Sequence, residues 1–188
     1  MKTIELNRCG ETEIRYDRTV VALPGYFRPT KQWDLVVIRR GQLLMALELK
    51  SLGGPSFGNN ANNRCEEAIG SGYDFRQAQS AGAFGPGANP FLGYFILIED
   101  SKGSRRPVGA RSLHFDTDPA FQQGSYQTRL RILCERLMEK QLYGSAAVLI
   151  SPRPTTKAAA GKASDLSIDT SFRRFLTRLA AFIVGECG

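Results

Sequence analysis

The chain has 188 residues, enough for one domain with a real core, and its 42% apolar content excludes a disordered or low-complexity polymer. Lys and Arg total 25 against 18 Asp and Glu, a net charge of +7, and a balance of that sign suits a polyanionic partner, most often nucleic acid. Cys9, Cys65, Cys134 and Cys187 show no C-x-x-C spacing and stand beside a single histidine, which argues against a zinc ribbon or finger. Scattered thiols, a polar start (Met-Lys-Thr-Ile-Glu) and no membrane-length apolar run predict a soluble, cytoplasmic protein.

No internal repeat breaks the chain, and one domain is expected over 1–188. Residues 14–23 are rich in β-branched side chains and read as a strand ended by Pro24-Gly25, with Pro29 keeping the next stretch irregular. Two apolar runs, 34–38 and 43–49, flank Arg40-Gly41-Gln42 and read as a hairpin. Residues 53–63, rich in Gly and Asn, read as a loop, and 64–79 as a helix weakened by Gly70 and Gly72. After a loop at 82–90, the continuous apolar run 92–98 is the mark of a strand covered on both faces. A long irregular insertion spans 102–124, with His114 to Asp118 read as loop chemistry rather than a metal site.

The stretch 126–142 is helical, with Leu130, Leu133, Cys134 and Leu137 on one stripe, and 146–150 is a last buried strand. A Pro/Thr/Ala/Lys loop covers 151–164. A final helix at 171–185 turns Phe172, Phe175, Leu176, Leu179, Phe182 and Ile183 inward. Strands first, then alternating helix and strand, predict an α/β (α+β) fold with a mixed central sheet flanked by helices.

Chemistry concentrates in Trp33-Asp34-Leu35 through Leu47-Glu48-Leu49-Lys50. A hairpin closed around Gly41 sets Asp34 opposite Glu48, Val36 opposite Ala46 and Ile38 opposite Leu44. Alternation along a strand then puts Glu48 and Lys50 on one face, with Asp34 joining from the partner strand. Two carboxylates at the end of an apolar hairpin repel and lose hydration unless a cation lies between them. Mg2+ suits such oxygen ligands, with Asp34, Glu48 and the Leu49 carbonyl as the candidate set. Lys50 is the group to position or deprotonate an attacking water, or to stabilise charge on a phosphorus centre. The ordinary alternative is a surface Asp and a surface Glu-Lys pair at strand ends.

The pattern resembles the PD-(D/E)xK nuclease superfamily, with Trp33 where a proline often stands. More specifically, Leu-Pro-Gly-Tyr-Phe-Arg-Pro-Thr-Lys-Gln-Trp-Asp-Leu (23–35) and the block from Glu48-Leu49-Lys50 to Gly70 resemble the XhoI family of type II restriction endonucleases. Weaker blocks, 93–100 and 133–147, extend the resemblance over about 13–150. It implies a restriction-endonuclease-like core and Mg2+-dependent cutting of both strands of the palindrome CTCGAG by a homodimer, with a cognate DNA methyltransferase as counterpart. It also implies a helical segment ahead of the first strand, which is expected to be absent here because only about a dozen residues precede Ile14.

Within that resemblance, Ser56, Asn59, Asn60, Asn62, Asn63 and Arg64 are candidate DNA contacts, since Asn pairs with adenine and Arg with guanine in the major groove. A turn-rich connector capped at Asn63 is the plainer reading. Arg28 and Lys31 are candidate phosphate contacts, against ordinary solvated charge. Glu66 and Glu67 read best as helix-dipole partners. The helix at 126–142 is a candidate dimer face, although Arg129, Arg131, Arg136 and Lys140 oppose a like-charged pairing. Two rivals stand beside the restriction enzyme: a repair nuclease or resolvase of the same fold, and a DNA-binding remnant that no longer cuts.

Overall fold

A seven-stranded mixed sheet runs through the computed structural model, which describes residues 2–6, 10–16, 21–153 and 161–187. The strands are β1 (Lys2–Leu6), β2 (Gly10–Arg15), β5 (Leu35–Arg39), β6 (Gln42–Leu52), β7 (Phe91–Glu99), β8 (Ser145–Ser151) and β9 (Ser164–Asp165), adjacent in that order. A separate hairpin joins β3 (Ala22–Pro24) to β4 (Thr30–Gln32). The pairs β5–β6 and β8–β9 are antiparallel, while β6, β7 and β8 run parallel. The helices are α1 (Phe57–Ser80), the short α2 (Lys102–Arg105), α3 (Tyr126–Glu139) and α4 (Phe172–Cys187). The expected mixed sheet flanked by helices is therefore the fold observed.

Strand alternation makes two cores. Even positions on β6 and β7 (Ala46, Leu52, Leu92, Tyr94, Ile96, Ile98) meet Phe57, Ala61, Ala68 and Phe75 of α1 and Leu130, Leu133 and Leu137 of α3. Odd positions (Met45, Leu47, Phe91, Phe95) and Ala147 meet Phe175, Leu179 and Phe182 of α4. Parallel strands covered on both faces explain the unbroken apolar text of β7. Phe172 and Leu176, expected to face inward, are about half exposed. No helix among the described residues is long and apolar enough to cross a membrane.

Several expectations change, and α2 (Lys102–Arg105) forms inside the stretch 102–124 that was expected to be irregular. The strand at 14–23 is divided: Ile14 ends in β2, Ala22 and Leu23 belong to β3, and 17–20 lie outside the described residues. The loop expected at 151–164 includes Ser151 of β8 and Ser164 of β9, and its 154–160 part also lies outside them. The Gly/Asn loop at 53–63 is helical from Phe57 onward, so α1 starts seven residues before its expected first residue, Arg64, and Asn63 lies inside the helix rather than capping it. Asparagine propensity favours a turn, but Phe57, Ala61, Cys65 and Ala68 recur at helical spacing and pack into the core. Phe57 stacks on Tyr126 of α3 with ring centroids 5.8 Å apart. Burial on that face outweighs a propensity cost of a few tenths of a kcal/mol per Asn.

Candidate active site

The hairpin β5–β6 carries the site. Leu35 pairs with Leu47, Val36 with Ala46 and Val37 with Met45, the register expected at that end. The turn end differs: a bulge after Val37 pairs Ile38 with Leu43 instead of Leu44, and Arg39 with Gln42. Arg40 and Gly41, both at positive φ, make the two-residue turn, whose primed geometry matches strand twist.

Beyond Leu35, β5 leaves the ladder and Asp34 takes its place. The Asp34 amide donates to the Leu47 carbonyl at 3.0 Å, and Asp34 Oδ2 accepts the Leu49 amide at 2.7 Å. The carboxylate is thus tied to the strand edge while remaining exposed. A residue's N–H and C=O point to the same side of a strand, so the Leu49 carbonyl lies on the edge that Asp34 occupies.

Glu48 points to the opposite side of the chain from Leu49, into the α1/α3 core, and is only 4% exposed. A buried carboxylate needs compensation, and here it has two cations. Lys50 forms an ion pair with Oε1, and Lys31, reaching in from β4, donates to Oε2 at 2.5 Å. Lys31 is itself held: its ammonium lies 4.4 Å from the Trp33 ring centroid and donates to the Gln32 carbonyl at 3.1 Å. Trp33 is buried edge-on against Phe75 of α1. Across the parallel register from Glu48 stands Tyr94. Burial above all, with Cys134, Tyr143 and Glu48 nearby, keeps the Tyr94 phenol protonated well above its ordinary range, and its oxygen has no hydrogen-bond partner among the described residues.

The structure therefore ties Asp34 to the Leu49 amide and Glu48 to Lys50, and adds Lys31, which the sequence suggested only as a phosphate contact. Nothing local in the sequence pairs Lys31 with Glu48, because that contact depends on how the β3–β4 hairpin folds over the end of β6. Arg28 goes elsewhere. Its Nε donates to Asp74 of α1 at 2.8 Å, and the Tyr26 and Phe27 amides donate to the same carboxylate at 2.9 and 2.8 Å. Burial raises the Asp74 carboxyl, but the amide donors and the guanidinium outweigh it and hold the group below the usual aspartate range. Sequence reading missed Asp74, a lone acid in a helix.

The candidate DNA contacts sit on and before the first turns of α1. Ser56 is the N-cap residue, Asn59, Asn62 and Asn63 are exposed, and Asn60 is half-buried. Arg64 donates to the Ser51 carbonyl at 3.4 Å and to Glu67 at 2.5 Å, which ties this turn to the end of β6. No group of three or more His, Cys, Asp or Glu placed to hold a metal occurs among the described residues. The donors present are two carboxylates and a strand-edge carbonyl. Carboxylate and carbonyl oxygens are the donor chemistry that a hard divalent cation takes, and in this structure both Glu48 oxygens are engaged by ammonium groups.

The fold is an α/β domain whose mixed sheet lies between helices, with an acid at the end of one strand and Glu-x-Lys on its antiparallel neighbour. The chain belongs to the restriction endonuclease XhoI family, whose model matches residues 1–165. It is 46% identical over 135 residues to the type II restriction enzyme XhoI of Xanthomonas vasicola, covering 72% of this chain and 54% of that one. It is 41% identical over 165 residues to BstVI of Geobacillus stearothermophilus (84% and 74%) and 50% identical over 112 residues to AbrI of Azospirillum brasilense (60% and 50%), both type II restriction enzymes. The match thus spans about half the length of the XhoI and AbrI relatives. No solved structure matches the chain.

Proposed function

We propose that this chain carries the catalytic centre of a type II restriction endonuclease, hydrolysing phosphodiesters in double-stranded DNA at a palindrome. The observation that carries the reading is the buried Glu48 carboxylate between Lys31 and Lys50, beside an Asp34 carboxylate tied to the same strand. By that resemblance the target would be CTCGAG and the metal Mg2+. A cognate methyltransferase would protect the host site, and a cytoplasmic location follows from where that DNA lies.

Asp34, Glu48 and the Leu49 carbonyl would hold the cation, which when bound supplies positive charge at the scissile phosphate and acidifies a coordinated water. The chain's own part is orientation and charge. The Leu49 amide fixes the Asp34 carboxylate, and Lys31 holds the Glu48 carboxylate through Oε2 while Lys50 holds Oε1. The Lys50 ammonium, held at Glu48, is positioned to direct the attacking water or to meet negative charge growing on the phosphoryl oxygens. The exposed residues of the first α1 turns are the candidate major-groove readers, adjacent to the site through Arg64 and Ser51. A palindrome presents the same edges twice, so with one centre per chain both strands would be cut in one encounter only by a homodimer.

Incubation of a plasmid bearing one CTCGAG site, with Mg2+ or with EDTA, tests the reading. Linear product with Mg2+ alone, abolished in Glu48→Gln, is expected. Nonspecific degradation would favour a repair nuclease, and binding without cutting a remnant.

A further inference from the structure

Between α1 and α3 lies an open groove of about 830 Å3. Its floor is apolar, with Ile69 from α1 and Leu130, Leu133 and Leu137 from α3. Its rim is cationic, with Arg111, Arg129, Arg136 and Lys140. One wall is the segment that leads from α2 to α3, and that segment is pinned at its foot. Arg129 donates to the Val108 and Gly109 carbonyls at 3.1 and 3.3 Å, and Arg136 pairs with Asp118 at 2.5 Å. The loop is also closed on itself, by Thr117 to the Ala110 carbonyl at 3.4 Å and by the Phe115 amide to Ser112 Oγ at 3.3 Å.

The tip of this anchored loop stands in water. Leu113 is 95% exposed and Phe115 81%. Two large apolar side chains are therefore held outward beside an apolar groove that they do not enter. Exposed apolar features of this kind mark an interaction site. Here both complementary halves, a protruding pair and a receiving groove, belong to one chain, which is the condition for an isologous two-fold contact.

We infer that two copies of the chain dock by exchanging these loops, Leu113 and Phe115 of each entering the α1–α3 groove of the other. Charge favours the same occupant. Asp116 follows the apolar pair, while the receiving rim carries Arg129 and Lys140 of α3, and the buried Arg129 Nε has no hydrogen-bond partner among the described residues. This arrangement also answers the objection to α3 as an interface: its cationic surface meets the partner's loop, with Asp116 at the tip, and not the partner's α3. The inference names the face of the dimer in the proposed function and rests on that reading only for the dimer's purpose.

Sedimentation of the full chain without DNA is the test, comparing wild type, Phe115→Asp and Leu113→Asp. Both positions are exposed, so far-ultraviolet circular dichroism should not change. Wild type should sediment as a dimer at micromolar concentration, and each variant should raise the dissociation constant at least about 100-fold, as expected for a lost apolar anchor. An independent arm uses Ile69→Glu on the groove wall, which should also yield monomers. A wild-type monomer at tens of micromolar, or a dimer indifferent to all three substitutions, would overturn the inference. If instead wild type is monomeric and Phe115→Asp weakens duplex binding, the groove serves DNA and the inference fails. Cleavage enters none of these readouts, so loss of the nuclease reading and loss of this interface are separately visible.

Discussion

At the scale of single residues, the site depends on one buried acid and its cations. Glu48→Gln, Asp34→Asn and Lys50→Ala should each lower cleavage by several orders of magnitude, as removal of metal-centred catalysis implies. Duplex binding in Ca2+ should survive, and near-normal cutting by Asp34→Asn would sink the assignment. Lys31 gives a sharper test because its contact is purely tertiary. Lys31→Met leaves Glu48 with one cation, and we expect kcat to fall at least about tenfold with a smaller change in KM, while Lys31→Arg recovers part of the loss. A loss confined to KM would make Lys31 a phosphate contact instead.

Asp74 is the other buried acid with defined work, holding the Tyr26–Arg28 turn against α1. Asp74→Asn should cost about 1–3 kcal/mol at neutral pH, the range for charge-assisted bonds to buried groups. The folded group titrates below its ordinary value of about 3.9, so its stabilisation is present above that value and is lost as pH falls through the lowered one. Urea midpoints of wild type and Asp74→Asn should converge as pH falls below the ordinary aspartate range.

At the scale of elements, α1 shows why local propensity misled. Its start is set by Phe57 and Ala61 reaching the core, and its two interior glycines have opposite meanings. A Cβ at Gly70 meets nothing within 4 Å, whereas one at Gly72 would come 2.7 Å from the Tyr143 ring. Gly70→Ala should therefore stabilise by about 0.5–1 kcal/mol through helix propensity and chain entropy. Gly72→Ala should destabilise by about 1–3 kcal/mol through overpacking, since Tyr143 is buried and bonded to the Ala68 carbonyl. Thermal melts of the two variants check the signs, and equal shifts would mean that α1 packs differently. On the other face of the sheet, Gly93 makes room for Leu47 and Phe175, which is how α4 sits close against β7.

At the scale of the molecule, a net charge of +7 acts on the partner rather than the fold. Duplex affinity should fall by about a thousandfold or more between about 50 and 200 mM salt if six or more phosphates are neutralised. Filter binding with Ca2+ measures this, and a flat salt response would count against a DNA role.

The sequence alone determined the sheet's central strands and its flanking helices, because hydrophobic period is a property of each segment by itself. Apolar alternation about a loop centred on Gly41 also indicated the hairpin that brings Asp34 to β6, whereas the two-residue turn and the bulge after Val37 belong to the structure. Tertiary structure decided the rest. Lys31 meets Glu48, and Asp74 meets Tyr26 to Arg28, across 17 and 46–48 residues of chain, distances over which no local pattern operates. The Asn-rich start of α1 is helical because of what Phe57 and Ala61 touch, and the α1–α3 groove exists only once both helices share one face of the sheet. Periodicity specifies which side of an element is apolar; which element covers that side, and which charge ends beside which, depends on the packing of the whole chain.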